Sequence, residues 1–150
     1  MNYSMSAKLK KRTFTDTVIS CILCAAAIVF SACQIISFFS TDDPQHISYA
    51  VYFFIIFAEL GLLSMILVEI RKTGRPFSAG IITRLRIMAI ILMAGGLMPN
   101  LSNAEESGTI LSMNFDIKNL IIAFLGVIVG IISEIFVYGR DLQEDNDTIA

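Results

Sequence analysis

The chain has 150 residues, 55% of them hydrophobic and 16% charged, and its mean hydropathy is +0.73. Those values exclude an ordinary soluble domain, in which about a quarter of the residues are charged, and point to a membrane chain. The formal charge of -2 says little until its distribution is read, because the basic and acidic residues segregate along the chain.

A bilayer core of about 30 Å takes roughly 20 apolar residues as helix, since lipid offers no partner for unpaired backbone groups. Four stretches meet that length. They predict an all-α membrane protein with spans at about 17–39, 47–69, 81–98 and 119–138, forming a single integral membrane domain over 1–150. The first span follows the basic arm Lys8, Lys10, Lys11 and Arg12. A cleaved signal shares that pattern, but this apolar run is longer and continues. Phe30-Ser31-Ala32-Cys33 looks like a lipoprotein processing site, yet Gln34 to Phe39 stays apolar where a lipoprotein turns polar, so an uncleaved span is expected. Cys21, Cys24 and Cys33 all lie in this span. Cys21-x-x-Cys24 has redox or metal spacing, but no electropositive setting or second ligand pair accompanies it, and the three cysteines read as small packing residues.

The second span carries Glu59 near its middle. A carboxylate there costs on the order of 3 kcal/mol on insertion scales, so it is expected to face other helices. It reads either as a protonatable, ion-binding or ligand-binding site, or as a neutral acid hydrogen-bonded to a neighbour such as Gln34 or a serine. The scarcity of polar groups around it argues against an aqueous pathway. The third span reaches full length only by including Arg84 and Arg86, whose long side chains can reach the near interface, and Pro99 ends it. In the fourth, Gly126 and Gly130 form a small-residue groove leading to Glu134, suited to close helix packing within one chain or between copies in a homo-oligomer.

The connections set the orientation, because Lys and Arg near span ends stay in the cytoplasm. The N-terminal arm, the second connection with Arg71, Lys72, Arg75, Arg84 and Arg86, and the C-terminal Arg140 together hold ten basic residues, against Lys118 alone on the other face. Both termini are therefore expected in the cytoplasm of a bacterial cell membrane. The outer segments carry Asp42, Asp43, Glu105, Glu106 and Asp116.

Aligned at an offset of 65, the second and fourth spans share eight identities over the eighteen positions from Ala58 to Arg75, with Gly61 matching Gly126. Both end in Glu-Ile-x-x-x-Gly-Arg, through Glu69, Gly74 and Arg75 in one and Glu134, Gly139 and Arg140 in the other, followed by Phe77 or Leu142. Both spans run the same way across the membrane, which predicts a parallel internal repeat. In each ending the glycine suits the left-handed position beyond a helix and the apolar residue can fold back on the last turn. The arginine then sits where lipid phosphates and the helix terminus attract it. The alternative is a pair of equivalent docking corners for a cytoplasmic partner. Glu69 and Glu134 are expected in interface ion pairs near Arg71, Lys72 and Arg140.

The segment 139–150 reads as an acidic cytoplasmic tail, with Asp141, Glu144, Asp145 and Asp147 on an otherwise basic face. It is either a solvated end or latch onto the basic connection, or a docking strip that imitates phosphate charge toward a basic soluble protein. No phosphate-binding glycine loop, catalytic triad, carboxylate pair or metal-ligand set is visible. The expectation is a protein without catalytic residues, metal, cofactor or direct nucleic-acid contact.

The turn Gly74-Arg75-Pro76-Phe77-Ser78, the following Arg84-Leu85-Arg86-Ile87 and the ending Gly139 to Ile149 resemble a bacterial four-span membrane family catalogued as domain of unknown function 2975. The likeness covers nearly the whole chain, although members usually carry one more apolar residue between Asp147 and Thr148. It implies no catalytic residues. It does imply a soluble partner, a small helix-turn-helix repressor of the Cro type. The expected function is regulatory or part of an envelope response, acting through the corners and tail. A small solute or proton-linked transporter, or a peptide self-immunity protein, using Glu59 is the alternative.

Overall fold

The computed structural model describes residues 7–102 and 112–149. It is 86% helical, which makes the class all-α. Its helices are α1 (Ala7–Thr41), α2 (Gln45–Thr73), α3 (Ala79–Gly96) and α4 (Ile117–Ile149). Each is long and apolar enough to cross a membrane. Two of them extend well past the expected spans. The basic arm forms the first turns of α1, whose 35 residues measure about 52 Å, and α4 runs through the acidic tail. The described ends of the last connection pair as a short antiparallel ladder, β1 (Asn100–Ser102) with β2 (Ser112–Asn114). Glu105 and Glu106 lie outside the described residues.

The helices form an open row. Among the described residues α1 packs on α2, α2 on α3 and α3 on α4, while α1 meets neither α3 nor α4. The four helices therefore form two hairpins side by side, without closing into a ring. In the first hairpin hydroxyl and thiol groups face the partner backbone. Ser31 Oγ donates to Ala50 O at 2.9 Å, Ser20 Oγ to Leu60 O at 3.1 Å and Ser64 Oγ to Ser20 Oγ at 2.9 Å. Cys24 Sγ lies 3.5 Å from Phe57 O and its partner surface includes Gly61. In lipid such groups have no water to turn to, so a carbonyl on the facing helix is the way to satisfy them.

The second hairpin closes on glycine. A methyl group at Gly126 would lie 2.7 Å from Met93 N and 2.9 Å from Ala89 O, so the backbones of α3 and α4 touch there. Gly96 gives the same close approach against Ala123 and Asn119 of α4, while its neighbour Gly95 receives Ile55 of α2. Successive helical residues point about 100° apart, so this glycine pair admits a helix on each side of α3. The groove of Gly126 and Gly130 is thus used inside the chain. Gly130 is less crowded, with Ala89 Cβ 3.7 Å from the position of an added methyl.

Candidate functional site: the charged end of the row

The N-terminus of α1, the C-terminus of α2, the N-terminus of α3 and the C-terminal part of α4 converge at one end of the row. The contacts between them gather the basic residues. Arg71 of α2 stands over the Phe14 ring of α1, 4.8 Å from its centroid, a cation–π contact that joins the two basic ends. Arg84 and Arg86 of α3 turn to opposite neighbours. Arg84 donates to Glu69 Oε2 of α2, and Arg86 Nη2 donates to Glu134 Oε1 of α4 at 2.9 Å. The acids thus pair with α3, and not with Arg71, Lys72 or Arg140 as the spacing along the chain suggested. Arg71 and Lys72 lie two and three residues from Glu69 on its own helix, whereas the Arg84 and Arg86 side chains come across the interface.

The α2–α3 corner follows directly from its residues. Gly74 is left-handed at φ 66°, and its N–H donates to Ile70 O at 2.8 Å, which ends α2. Pro76 then prevents helix from resuming at once. Ser78 caps α3, accepting from Ile81 N at 3.3 Å while its hydroxyl donates to Glu69 Oε1. Glu69 is thereby held by both the cap and Arg84, and its carboxylate lies against Gly80. That pair is largely shielded, with side-chain exposures of 25% for Arg84 and 21% for Glu69, whereas Arg86 and Glu134 are open at 54% and 58%.

The second copy of the motif behaves differently. Gly139 lies inside α4 without a left-handed backbone, since Gly74 is the positive-φ glycine among the described residues. No proline follows it, so the helix continues. Leu142 does not fold back but is 66% exposed. Gly139 instead makes room for the other corner. Phe77 packs edge-to-face on Phe136 at 5.2 Å between centroids, and a methyl on Gly139 would come 2.8 Å from its ring. Phe77 therefore folds onto α4, not back onto α2. This brings Arg75 and Arg140 to one cleft of about 260 Å³, with Phe77, Gln143 and Glu144 in its wall.

Beyond Arg140 the tail is helix. Asp141, Glu144 and Asp145 are exposed, and the Asp147 side chain lies outside the described residues. Asp141 and Glu144 approach Arg140 at 3.4 and 3.6 Å. Among the described residues these are the tail's ion pairs, and they are made to its own helix, not to the second connection.

Glu59 lies away from this end. Ser48, Tyr52, Ile55 and Glu69 of α2 all meet α3 or the segment after it. Their three- and four-residue spacing puts Glu59 on the same stripe. It is half-buried, and its Oε1 is shielded from solvent with no hydrogen-bond partner. The neighbours expected for it are engaged elsewhere: Gln34 Oε1 is 2.7 Å from His46 Nδ1, Ser20 and Ser64 bind each other, and Ser31 binds Ala50 O.

A polar cluster at the opposite end escapes a reading of the sequence. Tyr52 Oη donates to Asn100 Oδ1 at 2.7 Å, Asn100 Nδ2 to Asn119 Oδ1 at 2.9 Å, and Asn119 Nδ2 to Met98 O. Leu101 N donates to Ser48 Oγ at 2.8 Å. Asn119 is only 2% exposed, so these bonds satisfy amides that would otherwise be costly to bury. The available signal was two asparagines beside span ends, too common a pattern to single out. No family model, no curated protein and no solved structure matches this chain.

Proposed function

We propose that the chain is a non-enzymatic, multi-pass protein of the bacterial cytoplasmic membrane, with both termini in the cytoplasm, that acts in regulation or an envelope response through its charged end and tail. The observation that carries this reading is the continuation of α4 past Arg140 as a helix presenting exposed Asp141, Glu144 and Asp145. A helix holds acids in a fixed array, which favours docking of a basic soluble protein more than a loose chain end does. The reading extends to membership of the four-span family that the corners resemble, and to a small helix-turn-helix regulator as partner. It also includes a parallel repeat of α2 and α4, supported by Gly61 facing α1 and Gly126 facing α3.

The test is co-purification of the detergent-solubilised full chain with cytosol, beside a form ending at Arg140 and the triple variant Asp141→Asn, Glu144→Gln, Asp145→Asn. A partner retained by the full chain and lost from both altered forms is expected. Identical partners in all three would end the tail reading. In a background with Cys21, Cys24 and Cys33 replaced by alanine, Phe115→Cys should react with an impermeant thiol reagent in intact cells, and Asp145→Cys only after the membrane is opened.

A second reading rests on the shielded, unpartnered oxygen of Glu59. It makes the α2–α3 seam a site for proton-linked transport or for self-immunity to a peptide. Glu59→Gln should then abolish a proton-linked flux in proteoliposomes, or sensitise cells to a co-encoded peptide. Unchanged behaviour in both tests removes it.

A further inference from the structure

We propose that the cleft between the α2–α3 corner and α4 binds the phosphate of an anionic lipid headgroup, held between Arg75 and Arg140. The two arginines come from different elements, 65 residues apart, and converge because Phe77 seats on Gly139. A pair of guanidinium groups matches the planar oxygen pairs of a phosphate better than ammonium groups do.

Neither arginine is saturated by the protein. Arg140 meets Asp141 and Glu144 only at 3.4 and 3.6 Å, against about 2.8 Å for a well-formed charge-assisted bond. Its Nε, the atom 3.6 Å from Glu144 Oε1, is shielded from solvent and makes no hydrogen bond. Among the described residues the Arg75 side chain makes no hydrogen bond or ion pair, its backbone N–H alone donating to Thr73 Oγ1. The cleft also lies at headgroup depth. Arg75 is two residues past the end of α2, and Arg140 is two past Tyr138, where the apolar run of α4 stops. The Phe77 ring, packed on Phe136, gives the cleft an apolar wall beside the arginines. That combination fits a lipid, which presents its phosphate beside apolar chains, better than a free anion.

Glu144 sets the affinity. Its carboxylate lines the same cleft and competes with the phosphate for Arg140, so neutralising it should tighten binding while neutralising the arginines weakens it. The proposal stands apart from any soluble partner of the tail.

The experiment is native mass spectrometry of the detergent-solubilised full chain, titrated with phosphatidylglycerol, phosphatidylcholine or inorganic phosphate. Phosphatidylglycerol should fill a first site that phosphatidylcholine fills poorly and inorganic phosphate does not displace. Arg75→Gln with Arg140→Gln should weaken that site about tenfold, Glu144→Gln should tighten it severalfold, and Lys10→Gln with Lys11→Gln, the same charge change on α1, should leave it in place. Equal losses in the two double variants, no gain with Glu144→Gln, or equal binding of phosphatidylcholine would overturn the proposal. Efficient displacement by inorganic phosphate would reassign the cleft to a free anion and overturn it as well.

Discussion

Glu69 and Glu134, which hold the same place in two similar helix endings, both pair with the helix that lies between them, one through Arg84 and the other through Arg86. The pairs differ in shielding, and that difference sets their worth. An exposed pair contributes about 0–1 kcal/mol. Breaking a shielded pair that also holds a capping hydroxyl leaves an arginine and a serine unpartnered and costs on the order of 2 kcal/mol. Glu69→Ala should therefore lower the unfolding midpoint in detergent clearly, and Glu134→Ala hardly at all. Equal losses would contradict the ranking.

The α3–α4 contact predicts an asymmetric response along one groove. Gly126→Ala puts a methyl against the Met93 and Ala89 backbones and should cost about 1–3 kcal/mol. Gly130→Ala places its methyl at ordinary contact distance and should stay within about 0.5 kcal/mol. Thermal unfolding of both variants in one detergent makes the comparison.

The two motif glycines should separate on substitution. Gly74→Ala forces a side chain into a left-handed backbone and should cost about 1 kcal/mol. At Gly139 the backbone favours alanine by about 1 kcal/mol, but Phe77 occupies the space. Gly139→Ala should destabilise the native chain and stabilise a Phe77→Ala background. A double-mutant cycle reads that sign change directly; additive effects would show that the ring does not depend on the glycine.

Glu59 should be dispensable for folding. Its shielded oxygen gains no hydrogen bond, so Glu59→Leu should raise stability by about 1–3 kcal/mol, the cost of holding an acid in the span. A loss of stability would reveal a structural role that the seam does not suggest.

The helices were legible because each needs one property, an apolar run of sufficient length, and composition states that directly. Their ends were less so. Gly74 and Gly139 sit in matching motifs, yet one ends its helix and the other does not. The difference is Pro76, absent from the second ending, where Asp141, Leu142 and Gln143 allow the helix to continue. The partners of Glu69 and Glu134 were not legible either, since ion pairs between helices depend on which faces meet, and sequence distance favoured Arg71 and Lys72. The cleft of Arg75 and Arg140 depends on Phe77 crossing to α4, a contact with no pattern along the chain. The amides of Asn100 and Asn119 gained importance only when the row brought Tyr52 against them.

Because the helices lie in an open row, α4 has α3 as its helix neighbour, supplemented by Phe77 at one end and Asn100 at the other. Among the described residues, a pull on the acidic helix reaches the first hairpin through α3 and those two end contacts. In mechanical terms α3 stands as the coupling rod of the molecule: its arginines and its paired glycines join the helix that carries the tail to the helix that carries Glu59.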